Sequence, residues 1–298
     1  MDTAPALPPP VAALLAAAFP GAPVAGLAPT VGGFSNLTLR ARVGGVPCVL
    51  KAASHPAKVA DLRREARALA LLRGRRLGAP RALAFREGGG WALLVTGRRP
   101  GAPGLTLYGG PPEALAPACA ALGQALSRLH AAPIAPPGDL GDLLVAGRAA
   151  ATAKALGVLP LPPELRAPLA EALAHPAWRP ARPRLVHGDA GLHNILWGRR
   201  GLTLLDWELA GWGDPRLDLA WAAWALRFRG APPALWAALL DGYGPQRAAA
   251  LGLADDALRA LALGQIAALL VRASGLPAWD EWLRRARATL QLNQIAPG

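Results

Sequence analysis

The chain has 298 residues, 53% of them hydrophobic, and a net charge of +13 at neutral pH. This length allows one large or two ordinary domains with packed cores, and the composition is typical of a globular protein rather than a disordered one. No uninterrupted run of about 18 apolar residues is present, which argues against a membrane span. The acidic Asp2 and the lack of a basic cluster beside it argue against a signal peptide. Cys48 and Cys119 are isolated, with neither metal spacing nor a disulfide framework. We therefore expect a cytoplasmic protein with no membrane partner.

Almost all of the positive charge comes from arginine. Only three of the 32 basic residues are lysines, Lys51, Lys58 and Lys154. The arginines are scattered along the chain rather than gathered in one arm, so we interpret them as solvated surface and expect no nucleic-acid partner. A lysine retained in such an arginine-rich chain is a better candidate for a functional residue.

The first hundred residues have the pattern of a small antiparallel sheet with one helix. Residues 24–52 predict strands joined by a hairpin at Gly44-Gly45, because apolar and polar residues alternate on either side of that pair. Apolar residues at helical spacing predict a helix over residues 56–73. Two further strands follow around a glycine-rich turn, and the Pro/Gly-rich connector at 98–105 marks the best domain boundary.

Beyond that connector the chain is mainly helical in its pattern. The predicted helical segments cover residues 112–131, 162–175, 214–228, 232–242, 254–274 and 277–292. An Ala/Pro-rich stretch at 131–163 is interpreted as an irregular insertion, and two short strands flank a turn at 198–201. The fold class that follows is α+β, with an N-terminal domain at 1–97 and a helical C-terminal domain at 98–298.

Two polar islands stand out in this apolar chain. "LVHGDAGLHNIL" contains Asp189 and Asn194, and "LTLLDWELAG" contains Asp206. If the hairpin turns at 198–201, antiparallel pairing places Asn194 roughly opposite Asp206. A carboxylate and an amide oxygen at one point suit a hard cation such as Mg²⁺. The two islands therefore predict one site.

An Asp, an Asn five residues later and an Asp at the end of the next hairpin are the layout of phosphoryl-transfer enzymes. The chain resembles the aminoglycoside phosphotransferase and choline kinase family, which is related to the protein kinases. The resemblance is carried by His187-Gly188-Asp189 with Asn194, and by "LLDWELAGWGDPRLDLAW". The Asp-Trp-Glu form of this second motif is nearest the choline kinase-like and thiamine kinase-like branches. The resemblance implies a bilobal protein kinase-like fold, with a nucleotide-binding N-lobe and a helical C-lobe that binds the acceptor.

The resemblance also implies a role for each matched position. Asp189 would accept the proton of the acceptor hydroxyl, while Asn194 and Asp206 would hold Mg²⁺ against the phosphates of ATP. Lys51 would bind those phosphates, and Glu65, fourteen residues on, would pair with Lys51, although a surface role for Glu65 is the alternative.

Other matched positions have supporting roles. His187 is more readily a brace of the catalytic loop than a proton carrier, and Asp218 would tether that loop through backbone hydrogen bonds. His193 could serve in packing, in substrate contact or in neither role.

Two backbone segments complete the expected nucleotide site. Gly32, Gly33 and Ser35 fall where the family places its phosphate-covering turn, and their N–H and hydroxyl groups would approach anionic oxygens. The connector at Thr96, Gly97 and Arg99 would bind the adenine through backbone groups.

The expected acceptor is a hydroxyl of a small molecule, which could be an amino alcohol, a vitamin, a sugar or an aminoglycoside. The helical region offers few carboxylates for an aminoglycoside, and Trp221 and Trp224, at helical spacing, are better explained as core than as a site for a quaternary ammonium.

Two alternatives stay open. One is a metal-dependent hydrolase that uses the His/Asp cluster around Asp189, and the other is a catalytically silent nucleotide-binding protein.

Overall fold

The computed structural model describes residues 6–30, 37–199 and 201–297. Within these ranges the strands are β1 (Val24–Pro29), β2 (Leu37–Val43), β3 (Val46–Ala53), β4 (Ala82–Gly88), β5 (Trp91–Gly97), β6 (Ala102–Pro103), β7 (Arg184–Val186), β8 (Ile195–Gly198), β9 (Gly201–Leu204) and β10 (Gly211–Gly213). The α-helices are α1 (Pro9–Ala18), α2 (Pro56–Leu71), α3 (Pro112–Ala131), α4 (Val145–Leu156), α5 (Pro163–Ala174), α6 (Arg216–Phe228), α7 (Pro233–Tyr243), α8 (Pro245–Leu251), α9 (Asp255–Ala273) and α10 (Trp279–Leu290). Among the helices of the described ranges, none combines the length and the apolarity needed to cross a bilayer.

The chain divides into two compact units. The first unit comprises Met1–Gly101 and Gly198–Leu209, and the second comprises Ala102–Trp197 and Ala210–Gly298. The segment Gly198–Leu209, which includes Asp206, therefore belongs with the N-terminal residues, whereas the sequence pattern places one boundary near residue 97. The assignment of nucleotide binding to 1–97 and acceptor binding to 98–298 stays a prediction.

The first unit is built on a five-stranded antiparallel sheet with the order β1-β2-β3-β5-β4. Gly44 and Gly45 have φ of 56° and 78°, and this left-handed pair makes the tight turn that joins β2 to β3. The register places Lys51 of β3 between Thr38 of β2 and Leu94 of β5, so it lies in the middle of the sheet. The predicted α+β class and the small antiparallel sheet are confirmed.

Helix α1 is an element that the sequence pattern did not predict. Val11 and Leu15 on one side of it are buried and pack with Val43, Cys48 and Leu50 of the sheet. Prolines stand at the start of the helix, where the missing N–H has no intrahelical acceptor to lose. The prolines at the start of this apolar segment therefore begin a helix, and that helix covers the sheet.

The second unit is mainly helical, as predicted. The six predicted segments are confirmed as α3, α5, α6, α7, α9 and α10. The interpretation of 131–163 as an irregular insertion is wrong in its middle, because α4 occupies Val145–Leu156 and buries Ala149 and Leu156. Prolines at 133, 136, 137, 160 and 162 stand on both sides of this helix and make the whole stretch look irregular, although none falls within it. The short helix α8 is likewise absent from the predicted set.

Two glycines bring α3 and α7 into backbone contact. A Cβ built on Gly123 of α3 would lie 2.0 Å from the carbonyl oxygen of Leu239, and a Cβ on Gly242 of α7 would lie 1.9 Å from that of Ala120. Both obstacles are main-chain atoms, which cannot move aside as a flexible side chain can. The helix pair therefore requires glycine at both positions.

We expect Gly123→Ala to lower the free energy of unfolding by about 1–3 kcal/mol, because the added methyl group pushes two helix backbones apart. Gly147→Ala is the matched control, since Gly147 is also within a helix but a Cβ there meets only side-chain atoms at 3.9 Å. The free energy of unfolding of that control should rise by up to about 1 kcal/mol, because alanine has a higher helix propensity than glycine. Urea unfolding followed by circular dichroism measures both, and equal effects of the two substitutions would show that the close approach is not needed.

Candidate active site

Lys51 of the first unit lies between two carboxylates. Its Nζ donates to both carboxylate oxygens of Glu65 on α2 at 2.8 Å, and to Asp206 Oδ1 at 2.6 Å. Glu65 is buried, with 2% of its side chain exposed, and Lys51 is nearly so. The predicted pairing of Lys51 with Glu65 is present, and the contact with Asp206 is a further one that the sequence did not indicate.

The two carboxylates hold Lys51 in its charged form. Burial lowers the pKa of Lys51, but the attraction of Glu65 and Asp206 outweighs burial and raises the pKa well above its ordinary value. The ammonium group therefore stays protonated throughout the neutral range. A permanent, fixed cation of this kind is suited to binding phosphate oxygens.

Asp206 has an unusual backbone. Its φ is 63°, and it is the single non-glycine residue with a positive φ among those described. A left-handed conformation costs a non-glycine residue of order 1 kcal/mol or more, and such residues cluster at functional sites. The next residue anchors the segment, because Trp207 is fully buried and its Nε1 donates to Leu204 O at 3.0 Å. The Asp206 side chain is 43% exposed.

The segment after Asp206 is also tied to α2. Arg64 donates to the carbonyl oxygen of Glu208 at 2.7 Å and to Asp61 Oδ1 at 3.1 Å. Lys58 Nζ lies 3.4 Å from Asp61 and 3.9 Å from Glu208 Oε1. The helix that presents Glu65 to Lys51 therefore also holds the chain that carries Asp206.

The catalytic-loop motif of the second unit is fixed by one buried carboxylate. Asp218 of α6 is fully buried and accepts from the backbone N–H of His187 at 2.8 Å and of Gly188 at 2.7 Å. Gln265 Nε2 donates to the carbonyl oxygen of Gly188 at 2.6 Å. The predicted tether between Asp218 and the loop is confirmed.

Asp218 is itself supported by a buried chain of hydrogen bonds. His130 Nε2 lies 3.0 Å from Asp218 Oδ2, and His130 Nδ1 lies 2.9 Å from Tyr243 Oη. Burial alone raises the pKa of Asp218, but the hydrogen bond and positive potential of His130, with smaller effects of His187, leave the pKa below its ordinary value. Asp218 is therefore ionised at neutral pH. His130 and Tyr243 stand outside the sequence motifs, and their spacing gives no sign of this contact.

Asp189 follows directly on this anchored turn. Asn194 Nδ2 donates to Asp189 Oδ2 at 2.8 Å and to the Asp189 carbonyl oxygen at 3.0 Å. Both amide hydrogens of Asn194 are thus used, and its amide oxygen accepts no hydrogen bond from the described residues. An amide oxygen oriented in this way can serve as a ligand of a hard cation.

Two further side chains contact the Asp189 carboxylate. Trp221 Nε1 donates to Oδ1 at 2.6 Å, and His193 Nε2 lies 3.1 Å from the same oxygen. The sequence left His193 without a role and interpreted Trp221 as core; Trp221 is indeed buried, but its indole N–H has a specific acceptor. His187, in contrast, is fully buried and its Nδ1 accepts from the Asp189 N–H at 3.2 Å, in agreement with a bracing role.

The remaining predicted residues are only partly placed. Gly32, Gly33 and Ser35 lie outside the described residues. Asn194 belongs to the second unit and Asp206 to the first, so their sharing of one Mg²⁺ stays a prediction.

Thr96 and Gly97 end strand β5, where the Gly97 N–H donates to Arg81 O at 2.8 Å. Arg99 Nε lies 3.5 Å from Thr203 Oγ1. The role of this connector in binding adenine stays a prediction, and the backbone N–H groups of Gly97 and Arg98 are already used within the protein.

A strand lysine paired with a helix glutamate, and a His-Gly-Asp loop anchored by a buried aspartate with Asn five residues on, define the protein kinase-like class of phosphotransferases. The sequence model described as "Phosphotransferase enzyme family" matches residues 26–261, and the chain belongs to this family. The predicted enzyme class, a small-molecule phosphotransferase, is confirmed at this level.

Solved structures of similar fold agree with this assignment. An aminoglycoside-3'-phosphotransferase of type VIII is 25% identical with a TM-score of 0.64, and the match covers 86% of this chain and 97% of that chain. The macrolide 2'-phosphotransferase MphH from Brachybacterium faecium is 25% identical with a TM-score of 0.61, and the match covers 95% of this chain and 99% of that one. These similarities confirm the predicted kinase-like fold.

A curated relative matches only a short segment. Protein StrN of Streptomyces griseus is 44% identical over 55 residues. The match spans 18% of this chain and 16% of the length of StrN. The activity of the whole chain is therefore a matter for proposal.

We expect Asp218→Asn to lower the free energy of unfolding by about 2–4 kcal/mol at pH 7, because an amide group would turn a donor toward the loop N–H groups. The pKa of Asp218 is lower in the folded state than in the unfolded state. Its ionised form therefore contributes fully to the free energy of unfolding above the unfolded pKa of about 3.9, and this contribution is lost as the pH falls below that value. The difference between wild type and variant should therefore shrink on going from pH 5 to pH 3. Urea unfolding at each pH measures it, and a difference that does not change with pH would contradict the ionised state assigned to Asp218.

Proposed function

We propose that the protein transfers the γ-phosphoryl group of ATP to a hydroxyl group of a small molecule in a magnesium-dependent reaction. The observation that carries the proposal is the Asp189 carboxylate, which is fixed on an anchored loop, hydrogen-bonded by Asn194 and 22% exposed. Family membership supports the reaction class. The nucleotide, the metal and the acceptor are parts of the proposal.

Asp189 acts as the general base. The acceptor hydroxyl donates its hydrogen bond to the carboxylate, and the proton passes to Asp189 as the hydroxyl oxygen bonds to the γ-phosphorus. The bond between that phosphorus and the β–γ bridging oxygen breaks, and its electron pair leaves with ADP. The hydrogen bonds to Asp189 need no rearrangement during this step, which is the condition for efficient positioning.

The donor chemistry of the two predicted ligands, a carboxylate and an amide oxygen, suits a magnesium ion. Asp206 offers a partly exposed carboxylate, and Asn194 offers an amide oxygen whose own NH₂ group is directed to Asp189. Mg²⁺ in nucleotide enzymes takes one or two carboxylates and completes its shell with water and phosphate oxygens. When bound, the ion neutralises negative charge on the phosphates. Asn194 and Asp206 are the proposed ligands.

Lys51 is proposed to bind the phosphates of ATP. Its ammonium group is fixed by Glu65 and Asp206 and stays charged, so it can stabilise charge that develops as the phosphoryl group moves. Gly32, Gly33 and Ser35 are proposed to cover the phosphates, and residues 96–99 to bind the adenine, as the family resemblance implies.

The charged groups around the tryptophan stack that contacts Asp189 favour an acceptor without dense positive charge. Trp221, which contacts Asp189, stacks with Trp282 of α10 at a centroid distance of 6.4 Å. The Arg285 guanidinium lies 4.7 Å from the Trp282 ring, and Arg285 Nε donates to Glu281 at 2.6 Å. The position that a ligand cation would take over this ring is already filled, and the neighbouring carboxylate already has a partner. We propose a neutral or anionic hydroxyl compound, such as a sugar, rather than an aminoglycoside or choline.

The two alternatives have less support. A metal-dependent hydrolase would need several ligands around one ion, and in the described ranges of the chain no group of three or more His, Cys, Asp or Glu side chains is placed to hold one. A silent nucleotide-binding protein would have no need of the donors that surround the Asp189 carboxylate.

We expect Asp189→Asn to lower kcat by about 10²- to 10⁴-fold, because the amide cannot accept the hydroxyl proton, while the Kd for ATP stays within about threefold. Release of ADP is measured with a panel of neutral sugars, sugar acids, choline, thiamine and aminoglycosides, and ATP binding by calorimetry.

Asp241→Asn, an exposed aspartate of α7, is the matched control and should behave as wild type. Wild-type turnover in the Asp189 variant would contradict the role of Asp189 as base. Turnover with aminoglycosides alone would contradict only the proposed acceptor class.

We expect Lys51→Ala to lower kcat/KM for ATP by about 100-fold or more, because the phosphates lose a fixed cation. Lys154→Ala removes an exposed lysine from α4 and serves as the control of equal charge change. Steady-state kinetics with varied ATP measures both variants, and thermal unfolding shows whether the Lys51 variant is folded. Equal kcat/KM in the two variants would remove Lys51 from the site.

A further inference from the structure

The Asp189 carboxylate has more partners than the family motif requires. Trp221 Nε1 donates to Oδ1 at 2.6 Å, and His193 Nε2 approaches the same oxygen at 3.1 Å. We propose that Trp221 and His193 are positioning residues, which fix this carboxylate and leave Oδ2 as the oxygen that accepts the proton of the acceptor. This inference rests on the proposed function and specifies the geometry of its base.

The two oxygens of Asp189 differ in what they still offer. Each oxygen of an ionised carboxylate accepts along two lone-pair directions. Oδ1 already has two donors, Trp221 and His193, whereas Oδ2 has one, Asn194 Nδ2 at 2.8 Å. Because a carboxylate only accepts, the hydrogen of His193 lies on Nε2. The remaining lone pair is on Oδ2, and the hydroxyl proton is transferred to it as the new O–P bond forms.

The local sequence is arranged so that His193 can reach Asp189. A Cβ built on Gly191 would lie 2.5 Å from His193 Cε1 and 2.6 Å from its Nδ1. The imidazole ring therefore folds back over Gly191, in space that only glycine leaves open. The φ of Gly191 is −170°, an extended value that any residue adopts, so the need for glycine here is the ring and not the backbone.

Trp221 is fixed by its own packing. The residue is 2% exposed, and its ring stacks on Trp224 with a centroid distance of 4.4 Å and an interplanar angle of 16°. An indole held on its face cannot turn its N–H away from Asp189 without leaving the stack. The donor is therefore preorganised before any substrate binds, which is the property that makes a hydrogen bond effective in catalysis.

The chain offers a matched control for Trp221. Trp224 lies on the same helix and in the same stack, and its Nε1 donates to Thr289 Oγ1 at 2.8 Å. Trp221→Phe and Trp224→Phe each remove one indole N–H and a similar ring area. We expect Trp221→Phe to lower kcat by about 10- to 100-fold with KM for ATP within about twofold, because the base is misplaced. Trp224→Phe keeps an aromatic ring for Trp221 to stack on and loses only its own hydrogen bond to Thr289, so it should lower the thermal stability by a similar amount and keep kcat.

Four further variants test the contact while keeping the stacked core. Benzothienylalanine at position 221 replaces the indole N–H by sulfur and keeps the stacked ring, so it should lower kcat as Trp221→Phe does. Gly191→Ala should displace the His193 ring and lower kcat in the same direction as His193→Ala. Combining Gly191→Ala with His193→Ala should add little to either alone, since both remove one contact.

The contact itself is read by nuclear magnetic resonance of the indole N–H groups, which needs no activity. The resonance that disappears in Trp221→Phe should shift in Asp189→Asn, while that of Trp224 should not. A Trp221 resonance that stays in place overturns the contact. Transfer by wild type with equal kcat in Trp221→Phe and Trp224→Phe overturns the positioning role. Absence of transfer by wild type to every acceptor overturns the proposed function instead, whatever the resonances show.

Discussion

The turn that presents Asp189 depends on the buried carboxylate of Asp218. Its two oxygens accept from consecutive backbone N–H groups, those of His187 and Gly188, so the direction of the chain at this point is set by one side chain of α6. Burying a charge is costly unless hydrogen bonds compensate for it, and here three donors do so, the third being His130. The loop position therefore cannot change without exposing or unpairing a charge.

In the first unit, a lysine compensates the negative charge of two neighbouring carboxylates. Two carboxylates, Glu65 and Asp206, approach one ammonium group within 2.8 Å in a chain whose basic residues are otherwise almost all arginine. A compact point charge with three donors can serve two carboxylates on different elements, whereas a planar guanidinium favours one carboxylate in its own plane. The retention of lysine at position 51 follows from this geometry.

The family resemblance made much of the site predictable. The pairing of Lys51 with Glu65 and the tether of the catalytic loop by Asp218 both followed from it. The contacts of Asp189 with Trp221 and of His130 with Asp218 join residues 32 and 88 positions apart, and no sequence period encodes them. Helices α1 and α4 were not predicted because the prolines next to each helix made both segments look irregular. The sequence therefore did not reveal the contacts between distant residues or the helices that lie in proline-rich segments.

The environments of the two aspartates argue for different roles. Asp189 receives three side-chain hydrogen bonds, from Trp221, His193 and Asn194, which suit a base that must keep one orientation. Asp206 is more exposed, and its backbone is held in a strained conformation between a buried tryptophan and the sheet. A carboxylate that exchanges water and phosphate oxygens around a cation has to remain accessible, and a rigid backbone can direct it while part of its side chain stays exposed to solvent. The Asp189 carboxylate is held by three side-chain donors, whereas the Asp206 carboxylate is directed by its main chain and paired with Lys51, and this difference corresponds to the chemistry proposed for each.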